Sequence, residues 1–246
     1  MDDNRERRSA VCIAGVSGKG GTGKSTVCCG LGHALARAGH RVLLVDADAG
    51  LRCLDLMLSV SEQLVYDLGD VTAGRCDISD AILPVCDRLS LLAAPYKGEI
   101  EPTAFKALTE RLREQFDFIF IDSTAGIGSG FSAACAAADR ALIVTTPDGV
   151  CVRDVGRVSA LLSECGIDGH RLIINRFISE SAGGNGHRAL DDIIDGAASR
   201  LIGIVPFDSR LTDGGFTRRG RSRRAFDRIA GRLCGQNIKL PRLNKI

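Results

Sequence analysis

Apolar residues in this chain gather in short unbroken runs and do not alternate with polar ones. Val11–Val16, Val42–Asp46, Leu89–Ala93, Phe118–Asp122, Ala141–Thr145, Leu172–Asn175 and Leu201–Val205 are such runs. A strand covered on both faces has no solvent side, so continuous apolar runs suit a parallel sheet with helices on either side. Between the runs, Ser25–Ala38, Thr103–Gln115, Val152–Cys165 and Ala189–Ala198 read as helices. Strand and helix repeated this way predict a doubly wound α/β fold: a mostly parallel sheet with helices on both faces, in three layers. Gly39 suits the C-cap of the first helix. The Gly-rich stretch Ser181–Gly186 reads as a mobile surface loop. The organisation expected is a flexible N-terminus over 1–9, a single domain over 10–234 and a tail over 235–246.

Composition changes this picture little. The 246 residues are 45% apolar and 25% charged, ordinary for one large globular domain. No run approaches the ~20 apolar residues of a membrane-spanning helix. Met1 to Arg8 is polar and lacks the apolar core of a signal peptide, so a cytoplasmic location is expected. None of the ten cysteines forms a CxxC pair. They read as reduced thiols acting as small hydrophobes, Cys12, Cys28, Cys29, Cys135 and Cys165 among them, and ligand spacing gives an iron–sulfur site no support.

The octet Gly18-Lys19-Gly20-Gly21-Thr22-Gly23-Lys24-Ser25 fits G-x-x-x-x-G-K-[ST]. It follows an apolar strand and opens a helix, which is the context a phosphate loop needs. Glycines let backbone N–H groups turn inward around phosphate oxygens. The helix N-terminus points its positive dipole end at the same place. Lys24 would neutralise the β- and γ-phosphates, and the Ser25 hydroxyl would ligate Mg²⁺. Gly18, Gly20 and Gly23 also spell the dinucleotide pattern G-x-G-x-x-G, with Asp46 ending the next strand. Lys24-Ser25-Thr26 favours the triphosphate, since a dinucleotide site has no need of that triplet. The acid-ended strand closing at Asp122 is a second mark of a P-loop NTPase.

The string from Ser17 to Thr26, with Lys19 inside the loop as well as Lys24, resembles the deviant Walker A loop of the MinD/ParA ATPases. Asp46-Ala47-Asp48-Ala49-Gly50-Leu51-Arg52-Cys53-Leu54-Asp55 is similar to the MinD-type switch I pattern D-x-D-x-G-L-R-N-L-D, with Cys53 in place of Asn. Val65-Tyr66-Asp67 and Val152-Arg153-Asp154 resemble further MinD-type strings. Asp122-Ser123-Thr124-Ala125-Gly126-Ile127 resembles D-S-P-A-G-I, with Thr124 in place of Pro. The match spans roughly 10–213. It implies ATP and Mg²⁺ as cofactors and a homodimer in the ATP state. Lys19 would reach the partner's nucleotide, and Asp154 would lie near the interface. It further implies that Asp48 positions the attacking water and that Asp46 and Asp122 hold Mg²⁺ through water. Asn175, Arg176, Pro206 and Asp208 would lie at the adenine, and Gly18 to Thr26 at the phosphates. On the residues alone, Asp48 also suits a helix N-cap, Asp154 a first-turn acid and Asn175 a turn residue.

The implied function is a dimer-activated ATPase switch in division-site placement or related positioning, with a regulatory protein partner. The alternative is a ParA-type partition ATPase gripping DNA non-specifically; an iron–sulfur carrier is a weaker third. Net charge bears on this choice. From Thr217 onward ten Lys/Arg face one acid, so +9 of charge stands against −7 elsewhere in a chain of net +2. Such a split marks contact with DNA or anionic lipid, or else a solvated face. Phe226, Ile229, Ala230 and Leu233 recur at helical spacing, which predicts a final helix packed on the core with its arginines in water. Pro241 interrupts any helix in the tail, so a peripheral membrane anchor there is weakly supported.

Overall fold

The computed structural model describes residues 9–49, 51–148, 151–178 and 185–243, and only the backbone of 151, 152, 185–189 and 213. The N-terminal segment 1–8 and the loop at 179–184 lie outside the described residues.

Eight strands form one sheet. They are β1 (Val11–Val16), β2 (Val42–Asp46), β3 (Ile82–Cys86), β4 (Leu89–Leu92), β5 (Phe118–Asp122), β6 (Arg140–Thr145), β7 (Arg171–Phe177) and β8 (Arg200–Pro206). Their spatial order is β3-β4-β2-β5-β1-β6-β7-β8. All neighbours are parallel except the β3–β4 hairpin. The helices are α1 (Lys24–Arg37), α2 (Leu54–Met57), α3 (Leu68–Thr72), α4 (Ile78–Ala81), α5 (Pro102–Leu112), α6 (Ser129–Ala137), α7 (Cys151–Glu164), α8 (Asn185–Gly196) and α9 (Arg221–Leu233).

The core lies in two layers, as alternation along β1 requires. Cys12, Ala14 and Val16 pack with Phe105, Phe131, Leu162 and Ile193 from α5, α6, α7 and α8. Ile13 packs on the other side with Leu31, Phe226 and Ile229 from α1 and α9. The doubly wound, three-layer architecture expected from the apolar runs is the one observed. Gly39, at φ 95°, ends α1: its amide donates to Ala36 O, and that of His40 to Leu35 O.

Several local readings differ from the sequence expectation. β3 was unforeseen because it is an edge strand, partly exposed, with Pro84 beside a register shift. α6 is built almost wholly of small residues, so its sequence carries no polar–apolar period. α8 starts at Asn185, which takes the last two residues of the predicted loop into the helix. Cys165 is exposed, whereas Cys12, Cys28, Cys29 and Cys135 are buried, and the nine described cysteines are free thiols. The final helix begins at Arg221, so Arg221, Arg223 and Arg224 sit within its first turn. Phe226 is seated against Gly30 of α1, where a Cβ would stand 2.4 Å from the ring. Arg232 is partly buried and engaged: it donates to Ile202 O, Ile238 O and Lys239 O at 2.7–2.8 Å. It thereby fastens the start of the tail alongside β8. No helix is long and apolar enough to cross a membrane among the described residues.

Candidate functional site

The parallel strands β1, β2 and β5 end together, and their C-terminal edge carries the conspicuous charges. β1 hands over at Val16 to the loop 17–23, and α1 starts at Lys24. Gly23 stands at φ 84°, and a Cβ there would lie 2.2 Å from Asn175 Nδ2. Backbone conformation and space therefore both demand glycine. Asn175, buried at the end of β7, donates from Nδ2 to Thr22 O at 2.9 Å and so braces the loop. Gly18 packs on Asp154 in the first turn of α7; a Cβ would stand 2.6 Å from that of Asp154. The amide of Gly126 donates to Ser17 O, and Ser123 Oγ to Gly15 O, which ties the loop after β5 to the same turn.

No side chain caps α1, and its first turn holds no acid. The free N–H groups and dipole of this helix start form an anion site in waiting. Thr22 Oγ1 is buried in the same turn with no hydrogen-bond partner among the described residues, a polar atom that calls for one. The lysines differ. Lys24 is 7% exposed and its Nζ donates to Asp122 Oδ1 at 2.7 Å. Burial pulls its pKa down, but Asp122 more than offsets this and holds it above the ordinary lysine value. Lys19 is half-exposed at the rim, 3.6 Å from Asp148.

The acids lie side by side. Asp46 and Asp122 are register partners on β2 and β5, and both are buried. Burial first, and Asp122 second, push Asp46 up to about 7. Its Oδ1 accepts from the amide of Asp48 (2.9 Å) and its Oδ2 from that of Leu54 (3.2 Å). Asp48, partly buried, is raised by desolvation, with Lys24 opposing. It caps no helix; its carbonyl accepts from the amide of Arg52. Ser25, at the start of α1, and these carboxylates supply hard oxygens only. Cys28, 3.9 Å from Asp122, is held neutral by burial, well above the ordinary thiol range. Among the described residues no three His, Cys, Asp or Glu side chains form a metal cluster. A hydroxyl with one or two carboxylates is instead the sparse protein donor set that suits Mg²⁺ beside phosphates.

Beside the loop opens a cleft of about 490 Å³, lined by Lys19, Gly20, Gly21 and Asp148 on one side and by Arg176, Ile178 and Phe207 on another. Its size is within the ~300–1,000 Å³ of small-ligand pockets. Arg176 has φ 56°, a strained backbone for a non-glycine residue. Of the residues read from sequence for the adenine, Asn175 points at the loop, not the cleft. Pro206 lines a small cavity among Arg221, Arg224 and Arg228. Asp208 is bound to Arg210 and Ser222, which hold its carboxyl down at about 2. The residue between them, Phe207, is 58% exposed and does face the cleft. Phe207, Ile178 and Asp148 escaped the sequence reading. An exposed aromatic directly after a buried strand end was the available signal.

Residues 13–217 match the CobQ/CobB/MinD/ParA nucleotide binding domain. The septum site-determining protein MinD of Synechocystis sp. is 40% identical over 241 residues, which span 92% of this chain and 90% of that protein. The MinC:MinD cell division protein complex of Aquifex aeolicus contains a similar chain, with a TM-score of 0.85 and 36% identity, covering 95% of this chain and 99% of that one. The septum site-determining protein MinD of Pyrococcus horikoshii, complexed with Mg-ADP, has a TM-score of 0.79 at 28% identity, covering 91% of this chain and 96% of that one.

Proposed function

Because the chain belongs to the CobQ/CobB/MinD/ParA family of nucleotide-binding domains, we propose that it is a MinD-like, Mg²⁺-dependent ATPase acting as a dimerisation switch in division-site placement. The observation that carries this reading is the uncapped start of α1 behind a glycine turn, with one lysine buried against Asp122 and a second at the rim. The N–H groups of residues 20–25 hold the phosphates, and Lys24 exchanges Asp122 for them. Ser25, with Asp46 and Asp122 through water, would hold Mg²⁺. The metal supplies positive charge where negative charge develops on the phosphates. Asp48 orients the water that attacks. Arg176 and Phe207 flank the base, with Asn175 fixing the loop and Pro206 and Asp208 fixing the turn that presents Phe207.

Lys19 crosses to the nucleotide of a second copy, and Asp154, packed on Gly18, lies at that interface. Turnover then requires two chains. Specific ATPase activity rises with protein concentration and levels off, and Lys19→Ala lowers kcat by roughly 10³-fold, the low end for a cation supplied at a transferring phosphate. Activity independent of concentration, or an unaffected Lys19→Ala enzyme, rejects the dimer mechanism. A regulatory protein binds the closed dimer. The arginines of α9 and the tail favour an anionic surface, membrane or DNA, as a further partner.

A further inference from the structure

Shortly after β2, one buried arginine stands in a turn that leads back to Asp48. Arg52 adopts φ 42°, a left-handed conformation that a non-glycine residue keeps only when its surroundings hold it. The residue is 8% exposed. Nε lies 3.3 Å from Asp55 Oδ2 and Nη1 3.5 Å from Asp67 Oδ2. The ring of Tyr96 covers its outer face, 4.3 Å from Cζ to centroid. Asp67 is itself fixed, accepting at Oδ1 from the amides of Gly69 and Asp70 as the cap of α3. The next amide, that of Leu68, donates to Ala93 O beyond β4. One planar cation therefore links the turn at 52 to the rest of the domain through the Asp67 carboxylate and the Tyr96 ring, while Asp55 of the same segment lies beside its Nε, an ion pair without hydrogen-bond geometry.

The turn leads to the reacting end of the site. The Arg52 amide donates to Asp48 O at 3.2 Å, and the amides of Asp48 and Leu54 both donate to Asp46. Asp46 thus ties Asp48 to Leu54, and Arg52 stands between those two anchored residues. Arg52 lines neither the phosphate loop nor the cleft beside it.

We infer that Arg52 is a positioning residue for ATP turnover, its clamped guanidinium holding the strained turn that sets where Asp48 stands. The inference rests on the ATPase reading above. Lysine cannot replace it, because a point charge does not bridge two carboxylates while lying flat under a ring. Glycine relieves the backbone strain but leaves Asp55 and Asp67 unbridged.

The test uses the full chain as wild type, Arg52→Lys, Arg52→Gly and Tyr96→Ala. It measures kcat and KM for Mg-ATP, the Kd of a fluorescent non-hydrolysable ATP analogue, thermal melting, and amide exchange over 47–56 without nucleotide. Arg52→Lys and Arg52→Gly should bind the analogue as wild type and remain folded at the assay temperature, with Arg52→Gly melting lower because it leaves buried carboxylates unpaired. Their kcat should fall by on the order of 10²-fold, the effect of a reacting group misplaced by about 1 Å. Exchange over 47–56 should rise in both. Tyr96→Ala should move the same quantities in the same direction, by less. Wild-type kcat in Arg52→Lys overturns the inference, as does wild-type kcat in Arg52→Gly. Loss of analogue binding in step with kcat, or failure of both Arg52 variants to fold, also overturns it and makes Arg52 a scaffold residue. Absence of turnover in the wild type refutes the ATPase reading instead; unchanged exchange in the variants then still refutes the clamp.

Discussion

Asp46 shows what burial does to one group. It is pushed up to about 7 because it is buried beside Asp122, despite two amides donating to it. Its folded-state pKa lies above the unfolded value near 3.8. Between these values the folded chain keeps a proton that the unfolded chain has released. This contribution to stability is therefore full at the acid end of the window and is lost as pH rises through it towards 7. Asp46→Asn removes the titration. Wild-type stability relative to that variant should decline with rising pH by up to about 1.4 kcal/mol per unit across the window. Urea unfolding in Mg²⁺-free buffer between about pH 4.5 and 7.5 measures it. Parallel pH dependences for the two proteins would remove Asp46 as the source.

At the scale of elements, the contact of α1 with α9 decides where the basic C-terminus sits. Phe226 fills the space left by the missing side chain of Gly30. Gly30→Ala drives a methyl into that ring and should destabilise the fold by roughly 1–3 kcal/mol. Phe226→Leu, destabilising alone, should recover part of this in the double variant, because the two changes share one space. Denaturant midpoints for the four proteins check it, and strict additivity would show that the ring has another seat. The same helix explains the tail. With Arg232 bound to three carbonyls, residues 236–239 lie against the domain, and no amphipathic helix follows α9 among the described residues.

For the whole molecule, charge separates along the chain, with the basic excess in residues 217–246. Arg221, Arg224 and Arg228 line one cavity at the β8 edge of the sheet, with Arg232 at its back. In the ATP-closed dimer proposed above two such faces would act together, and each basic residue near an anionic bilayer contributes about 1 kcal/mol. Sedimentation with vesicles containing anionic lipid should rise on adding Mg-ATP and fall steeply with salt. Arg224→Glu with Arg228→Glu should abolish it without changing analogue affinity. Pelleting with duplex DNA but not with vesicles would turn the reading to a partition ATPase. No binding to either would retire the anionic surface altogether.

The sequence by itself determined the layers, the strand that leads into the phosphate loop, and the loop's residue types. Those are local facts: a run of apolar residues buries both faces of a strand, and a left-handed turn such as that at Gly23 admits little but glycine. MinD-type strings also marked Asp46, Asp48 and Asp122 as neighbours. What the tertiary structure alone decided is which groups meet. The pairing of Lys24 with Asp122, the brace from Asn175 to Thr22, and Phe207 facing the cleft in place of Pro206 and Asp208 join residues far apart in the chain. The grip on Arg52 likewise draws on Asp55, Asp67 and Tyr96, and no period or spacing encodes such a meeting. Edge strand β3 and helix α6 were hidden for a related reason. An exposed edge and a run of small residues acquire their structure from what packs against them, not from their own pattern.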